Sequence, residues 1–514
     1  MTINKSFSVT GGTYSATSAT TQVVNSITIG GGVTFNHNNG TFLSDGSNTV
    51  TVTLNTGSAQ FNHLNLMGWA TTFSVTGTVY VAGNFIFGGP NGSGGIINSG
   101  TVDAKGNISS QFNGAGGTAT IKATGSSSQS ITGNGTAEWP TLEVASTGGT
   151  VTLANTFYFT SDYTYTSGTI DAGTSTLYFK NYNASIRPGS SINYYNVTLA
   201  ANQSGGATTL NSQTWNINGT FTSARTASSG SLNSGTINAA GNIVLSGSEY
   251  AGSANLNING NTNTTITTTG TTKMPGALVT INKTGGSKVS LTGATYFNST
   301  NQNFTVTAGI LDMAGYALTV AGNISNSGTI YRGTNPTCGL LTMGGTLTGT
   351  ASYCKSQNIA LASNGSVATA SSSYSAGFLP ATANNGERNG SAWGSNGGWN
   401  DNTSNSFPDW LQITFTMPTL ISQIDVITVQ DSYSSPSVPT LGMTFTLYGI
   451  TSYQVQYWNG AVWTDVTGGN VTGNNNVWRQ FTFTPISTDR VRVLVNGAVD
   501  EWSRIIEVEA TSPP

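Results

Sequence analysis

Carboxylates are the side chains of this 514-residue chain best suited to chemistry, because two of them a few ångströms apart hydrolyse a glycosidic bond by general acid–base catalysis. The N-terminal two thirds, residues 1–355, hold Asp45, Asp103, Glu138, Glu143, Asp162, Asp171, Glu249 and Asp312. Asp103, Asp171 and Asp312 occupy one repeated position, in GTVDA, GTIDA and GILDM, and Asn238 fills it in GTINA. A residue that recurs with a unit and is replaceable by Asn is a turn or cap device, not half of an acid–base pair. Glu138 and Glu143 flank Trp139-Pro140 and could share a face, but nothing else converges on them. His37 and His63 are the only histidines, and they read as surface or packed strand residues. No G-x-S-x-G elbow, phosphate loop or Cys/His pair is visible. The expectation is a chain without an active site.

The elements that carry these acids are repeats. Gly100, Gly168, Gly235 and Gly309 open four copies of one signature. A recurring unit of this kind, here about 67–74 residues long, folds as stacked copies of one supersecondary structure, each burying its apolar face on its neighbour. A finer echo, GTVYVAGNF at Gly77 before GTVDAKGNI at Gly100, recurs after a third of that length. One unit therefore divides into three coils of about 22–24 residues, the length of a parallel β-solenoid turn. Alternation in Thr150-Val151-Thr152-Leu153 and Phe304-Thr305-Val306-Thr307 points Val, Leu and Phe inward and Thr outward. Gly-Asn and Gly-Gly pairs are expected to supply positive φ at the corners, and stacked Asn and Thr to satisfy one another along the stack.

The fold class expected is all-β: an N-terminal repeat β-solenoid, parallel β-helix-like, over residues 1–355, with four units of which the first is incomplete. About fifteen coils at 4.7–4.9 Å per strand make a rod on the order of 70 Å long. A string of small antiparallel sandwiches is the alternative.

Composition narrows the class of protein. Only 7% of residues are charged and 66 are glycine, yet 36% are apolar and 10% aromatic, which argues against disorder. Residues 1–355 carry 11 Lys/Arg against 8 Asp/Glu, and residues 356–514 carry 5 against 11. No basic patch tracks a nucleic-acid backbone, and no apolar run approaches the roughly 18 residues of a membrane span. MTINKSFSVTGG has no basic, apolar and small-residue sequence of a signal peptide. A surface-type composition without such a signal is what a bacteriophage makes, because lysis releases it. Cys338 and Cys354 lie close together just before the composition changes. A disulfide closing that loop contributes about 3 kcal/mol by the chain-entropy argument, and cytosolic assembly leaves both thiols reduced until release. The sequence leaves both outcomes open.

After Lys355 the repeat stops and tryptophan becomes frequent. Longer strand patterns follow, such as Trp410–Phe415, Tyr453–Trp458 and Arg490–Val495, and Asn459-Gly460 marks a type I′ hairpin. In order, NIALASNGSVATASSSYSAGFLPATANNGERNGSAW, FPDWLQITF, ISQIDVITVQ, YQVQYWNGAVWTDV, VWRQFTFTPISTDRVRVLV and SRIIEVEA resemble a discoidin domain, the coagulation-factor C-type or galactose-binding-like module. The resemblance covers roughly 358–511. It implies that residues 356–514 form an eight-stranded β-sandwich jelly roll whose loops at one end contact glycans, or in some relatives lipids or proteins. The repeats are similar, more loosely, to the strand-repeat rods of phage fibres and bacterial surface proteins.

Sugar recognition needs an aromatic face for the pyranose ring and fixed polar groups for its hydroxyls. Three loops offer these: Ser373-Tyr374-Ser375, Trp399-Asn400-Asp401 after Gly397-Gly398, and Asp431-Ser432-Tyr433. Trp399 leads the candidates, with Tyr433, Tyr374, Asn400 and Asp401; the other reading of Trp399 is a ring folded over its own core. Trp393, Trp410, Trp463 and Trp478 read as core, and Arg479, Arg492 and Arg504 as strand braces. The resemblance further implies a structural calcium ion where the loop Ala383-Asn384-Asn385-Gly386-Glu387-Arg388 meets Glu507. Ligands would be Asn385, Glu507, and the carbonyls of Ala383 and Arg388; Asn385 stands where the family pattern has Asp, which weakens affinity for a hard cation. A loop closed by hydrogen bonds alone is the alternative.

The function expected is adhesion without catalysis. A phage virion fibre displays a glycan-binding module to the host surface, with other virion proteins as partners and a homotrimer as one possible assembly. A bacterial cell-surface adhesin comes second and a polysaccharide-degrading tail spike third.

Overall fold

The structure is a computed structural model, which describes residues 1–45, 52–57, 59–68, 71–89, 95–111, 116–181, 183–200, 206–224, 230–247, 251–269, 276–334 and 338–513. Strands dominate, and the helices among the described residues are two short 3-10 turns, Ala362–Asn364 and Pro380–Thr382. No described helix is long and apolar enough to cross a membrane. The chain divides into two compact units, Met1–Tyr331 with Gly339–Ser352, and Arg332–Cys338 with Tyr353–Pro514. Cys338 is disulfide-bonded, and no cysteine is free among the described residues.

The first unit is a parallel β-solenoid. Thr78–Val81 lies on Thr101–Ala104, which lies on Thr120–Ala123, which lies on Thr141–Ala154, every pair parallel. Antiparallel sandwiches cannot produce that pairing, so the alternative falls. Thr101 partners Thr120 in a short coil and Ile27 partners Leu54 in a long one, so coil length varies more widely than the signature suggests. Alternation does the sorting: in Thr156–Phe159 and the strand above it, Thr176–Phe179, Phe157, Phe159, Leu177 and Phe179 point inward and are buried. Rings then meet through the stack. Phe87 packs on Trp139 (4.8 Å), Trp139 on Phe157 (5.1 Å), Phe159 on Phe179 (4.9 Å) and Phe179 on Trp215 (5.6 Å). Each ring buried this way contributes about 1.5–3 kcal/mol.

The corners differ from expectation in one respect. Some Gly-Gly pairs take positive φ, as at Gly285 (63°) and Gly286 (73°), and so do the signature glycines Gly100 (57°) and Gly235 (132°). Among the Gly-Asn pairs Gly260 does so too (87°), but Gly83, Gly106 and Gly241 do not. They are small because the coil below is too close: a Cβ on Gly241 would overlap the Gly219 carbonyl oxygen, and one on Gly106 would overlap the Gly83 carbonyl. The asparagine that follows serves the next coil. Asn84 Oδ1 accepts the Asn107 amide (3.1 Å), and Asn107 Oδ1 accepts the Ser130 amide (2.8 Å). Where the chain turns away and its own carbonyl cannot reach the ladder, a side-chain oxygen takes its place.

The second unit is an antiparallel β-sandwich. Asp409–Thr428 and Trp478–Ala498 are its longest strands, and register shifts between Thr414/Thr419 and Ile421/Gln423 break their pairing into segments. Ile450–Trp458, Trp463–Val471, Arg504–Thr511 and the short Val367–Ala370 and Trp399–Asn400 complete it. Inside lie Trp399, Leu411, Ile413, Ile424, Tyr453, Val493 and Ile505, all buried.

Candidate functional site

The solenoid carboxylates are engaged one by one. Glu143 pairs with Lys122 (3.0 Å), Glu138 with Lys180 (3.0 Å) and Asp312 with Lys288 (2.8 Å). Asp45 accepts from the Gln22 side chain (3.1 Å) and Asp103 from the Thr124 hydroxyl. Asp171 caps the Gly173 amide (3.0 Å) and Asp162 that of Ser185 (2.7 Å). Asn238, the counterpart of Asp103, Asp171 and Asp312 in the third repeat, sits mid-ladder: it donates to Asn216 Oδ1 (2.8 Å) and accepts from Asn257 (2.9 Å). Glu249 lies outside the described residues. His63 Nδ1 accepts the Asn84 amide (2.9 Å) and His37 Nδ1 that of Asn39 (3.1 Å). Lys283 is a buried cation of this unit; its ammonium donates to the Ala240 and Asn259 carbonyls of earlier coils (3.2 and 2.5 Å), and burial lowers its pKa to about 8.

In the sandwich, three loops and the start of the last strand converge on a cleft. Its larger lobe, about 440 Å³, is lined by Phe378, Trp393, Val429, Tyr433, Tyr448 and Arg504. A smaller lobe of about 210 Å³ lies against Tyr374, Phe378, Trp393, Asn400, Trp502 and Arg504. The rings brace one another edge to face: Trp502 on Tyr374 (5.3 Å), Tyr374 on Phe378 (5.9 Å), Phe378 on Trp393 (4.9 Å) and Tyr433 on Tyr448 (5.4 Å). Such pairs hold each ring in place and leave neighbouring faces at steep angles. The Tyr433 loop is tied down by Asp431, whose carboxylate accepts the amides of Thr446 and Leu447 (both 2.9 Å at their shortest).

Arg504 is the fixed polar group. Its Nε donates to Asn400 Oδ1 (3.1 Å), its Nη2 to Asp500 (2.8 Å), and its guanidinium lies 5.4 Å from the Tyr448 ring centre. Nη1 is buried with no hydrogen-bond partner among the described residues. A guanidinium so pinned loses little further entropy when a ligand meets it.

Several sequence expectations are corrected here. Trp399 is not a ligand-facing ring: it is fully buried and its indole N–H donates to the Ser372 carbonyl (2.8 Å). Gly397-Gly398 before it bring the chain against Trp393 and Ile505, so the strand pairs with Ile505 and drives the ring into the core. Asp401 is buried too, its carboxylate capping the amides of Ser503 and Thr403 (both 2.7 Å); it shapes the loop and leaves nothing for a ligand. Asn400 is buried and lines the smaller lobe by orienting Arg504. Tyr374 and Tyr433 stand 52% and 42% exposed on the cleft. Trp393, expected in the core, and Arg504, expected as a brace, are cleft walls. Trp463 and Trp478 are half-buried beneath guanidinium groups, Arg492 at 4.4 Å and Arg388 at 4.6 Å, and Trp410 is also half-buried. Sequence reasoning does not single out Trp502, Phe378 or Tyr448. Trp502 between Glu501 and Ser503, an aromatic among polar loop residues, is the one visible signal.

For the calcium site, the donor set is mixed. Glu507 is buried, and burial pushes its pKa up to about 8; its oxygens accept the amides of Asn385 (3.2 Å) and Gly386 (2.9 Å). The Ala383 carbonyl accepts the Val508 amide (2.8 Å), and Asn385 Oδ1 the Glu387 amide (2.8 Å). Arg388 is held in a bidentate pair with Glu509. In the same loop, Asn384 Oδ1 is buried without a hydrogen-bond partner among the described residues. Among the described residues no cluster of three or more His, Cys, Asp or Glu could hold a metal. One buried carboxylate, a free amide oxygen and a carbonyl are nevertheless the hard oxygen donors that calcium takes.

No family model matches the chain, and no curated protein matches it. Among solved structures it is similar to chitosan-binding module 1 of a chitosanase/glucanase from Paenibacillus sp. IK-5, with 21% identity over 30% of this chain and 98% of that one, TM-score 0.23. It is similar to the family 32 carbohydrate-binding module of C. perfringens NanJ in complex with galactose, with 19% identity over 31% of this chain and 100% of that one, TM-score 0.23. The lectin domain of lectinolysin complexed with Lewis B antigen shares 15% identity over 31% of this chain and 98% of that one, TM-score 0.23.

Proposed function

We propose that the chain is a non-enzymatic glycan-binding adhesion protein, in which a β-solenoid carries a carbohydrate-recognition sandwich. The observation that carries this reading is the aromatic cleft around Arg504: rigid rings for the apolar faces of sugars, and one pinned guanidinium for their oxygens. The engaged state of the described solenoid carboxylates supports a scaffold role for the first unit. The setting we propose is a bacteriophage virion appendage that attaches to host-surface carbohydrate, many copies raising a modest single-site affinity. Its low charge and polar repeats suit that setting. Its partners there are other virion proteins, with a homotrimer as the assembly to look for.

A printed glycan array probed with the full chain tests binding. Arg504→Ala is expected to lower binding about ten- to a hundredfold, in line with loss of a charged hydrogen bond at about 1.5–3 kcal/mol. An array with no bound glycan overturns the reading. Presence of the chain at fixed copy number in purified particles supports the virion setting; fractionation with a cell envelope points to a bacterial adhesin, and release of oligosaccharide from capsule or lipopolysaccharide to a tail spike.

We also propose calcium in the 383–388 loop, with Glu507 as the charged ligand, the Asn385 side chain and the Ala383 and Arg388 carbonyls as the other ligands, and the unpartnered Asn384 amide oxygen as a further donor of the loop. Calcium at 100 times its dissociation constant stabilises the bound fold by about 2.7 kcal/mol. Calorimetry should show a calcium-dependent rise in melting temperature that Glu507→Gln abolishes. An unchanged melt of the parent chain would sink the proposal.

A further inference from the structure

The two lobes of the cleft share one wall, made of Phe378, Trp393 and Arg504. On one side of it Tyr433 and Tyr448 stand edge to face; on the other stand Trp502 and Tyr374. Each lobe therefore has its own aromatic pair, and Arg504 is anchored into both, by Asn400 in the smaller lobe and against Tyr448 in the larger. At about 440 Å³ the larger lobe by itself falls in the roughly 300–1,000 Å³ of a small-molecule pocket, and the smaller lobe, at about 210 Å³, extends it past the shared wall. A single monosaccharide in the larger lobe leaves Trp502 and Tyr374 facing water.

Charge sets a second condition. The Arg504 guanidinium is matched by Asp500, 2.8 Å away. Residues 356–514 carry 11 Asp/Glu against 5 Lys/Arg. Among the described residues that line it, the cleft has no unmatched cation to hold a carboxylate or sulfate, and the surroundings repel one.

We infer that the cleft takes a neutral oligosaccharide of at least two sugar residues, one ring in each lobe, with Arg504 at the junction between them. This rests on the glycan-binding reading above. The larger lobe takes the terminal ring, and Trp502 with Tyr374 takes the next.

The test uses the full chain on galactose, N-acetylgalactosamine, N-acetylglucosamine and fucose, each as the monosaccharide and as the nonreducing end of di- and trisaccharides, with sialylated counterparts. The parent chain should bind the best disaccharide about tenfold or more tighter than its matching monosaccharide. Trp502→Ala should weaken disaccharide binding more than monosaccharide binding, shrinking that difference to about twofold. Tyr374→Ala, which removes the ring packed on Trp502, should weaken disaccharide binding at least as much, and Tyr433→Ala should weaken both lengths. Equal binding of mono- and disaccharide by the parent overturns the two-ring assignment, as does a Trp502→Ala effect of the same size on both lengths or on neither. Tightest binding to sialylated probes overturns the neutral assignment. Absence of binding to every probe removes the glycan reading itself, and this inference with it.

Discussion

The solenoid and the sandwich use the same polar residues for opposite ends. In the solenoid, Asn238 is bonded to Asn216 below and Asn257 above, and Asn84 and Asn107 hand their oxygens to the next coil. Each such residue is consumed by its own stack. In the sandwich, Asn400, Asp500 and Asp431 orient an arginine and a loop around space that the protein does not fill. A repeat has the same neighbour at every level, so a polar side chain finds a partner by translation alone. Loops at a sandwich end have no such neighbour, and that is where a cleft opens.

Trp399 offers the strongest way to break the contrast. If it is a core ring, Trp399→Ala should cost the second unit about 3–5 kcal/mol and lower its melting temperature, with glycan binding lost only together with the fold. Trp502→Ala should leave the melting temperature nearly unchanged. A Trp399→Ala chain that melts normally and loses sugar alone would restore that ring to the binding face.

Buried ionisable groups sharpen the comparison through pH, with opposite signs. Burial raises Glu507 from 4.5 to about 8, so between these values the folded sandwich holds more protons than the unfolded chain. Its stability is fully present below about 4.5 and declines as pH rises through 8. Burial lowers Lys283 from 10.5 to about 8, so the unfolded solenoid holds more protons between these values, and the solenoid gains stability as pH rises toward 10.5. In calcium-free buffer, denaturant melts across this range, compared with Glu507→Gln and Lys283→Met, should flatten each trend separately. Persistence of either slope in its variant shows that another group is responsible.

The smallest effect belongs to the ladder. Asn238→Ala removes one donor and one acceptor and should cost about 1–3 kcal/mol, while Asn238→Asp keeps the acceptor toward Asn257 and should cost less. Equal costs would mean that the ladder contributes through packing and not through its hydrogen bonds.

Much of the scaffold is legible before any coordinate. Recurrence of GT(I/V)(D/N)A, alternation in Thr150–Leu153 and the change in composition after Lys355 are local signals, and a stack of near-identical coils adds little beyond local rules. Even there the reason for the Gly-Asn glycines stays hidden, because the approach of the Gly219 carbonyl to the site of a Cβ on Gly241 is a contact between coils and leaves no mark on φ.

By itself, the sequence determined the repeat, its period, the inward and outward faces of its strands, the second region with antiparallel strand patterns, and the loops bearing Tyr374 and Tyr433. Tertiary structure alone decided which aromatics face water. Trp399 and Trp502 look alike as loop tryptophans, and one is buried while the other lines a cleft. The difference arises because Trp399 pairs with Ile505 across the sheet, whereas Trp502 meets Tyr374, which lies near the opposite end of the same unit in sequence. Contacts over that separation are set by how the strands pack, and no local pattern encodes them.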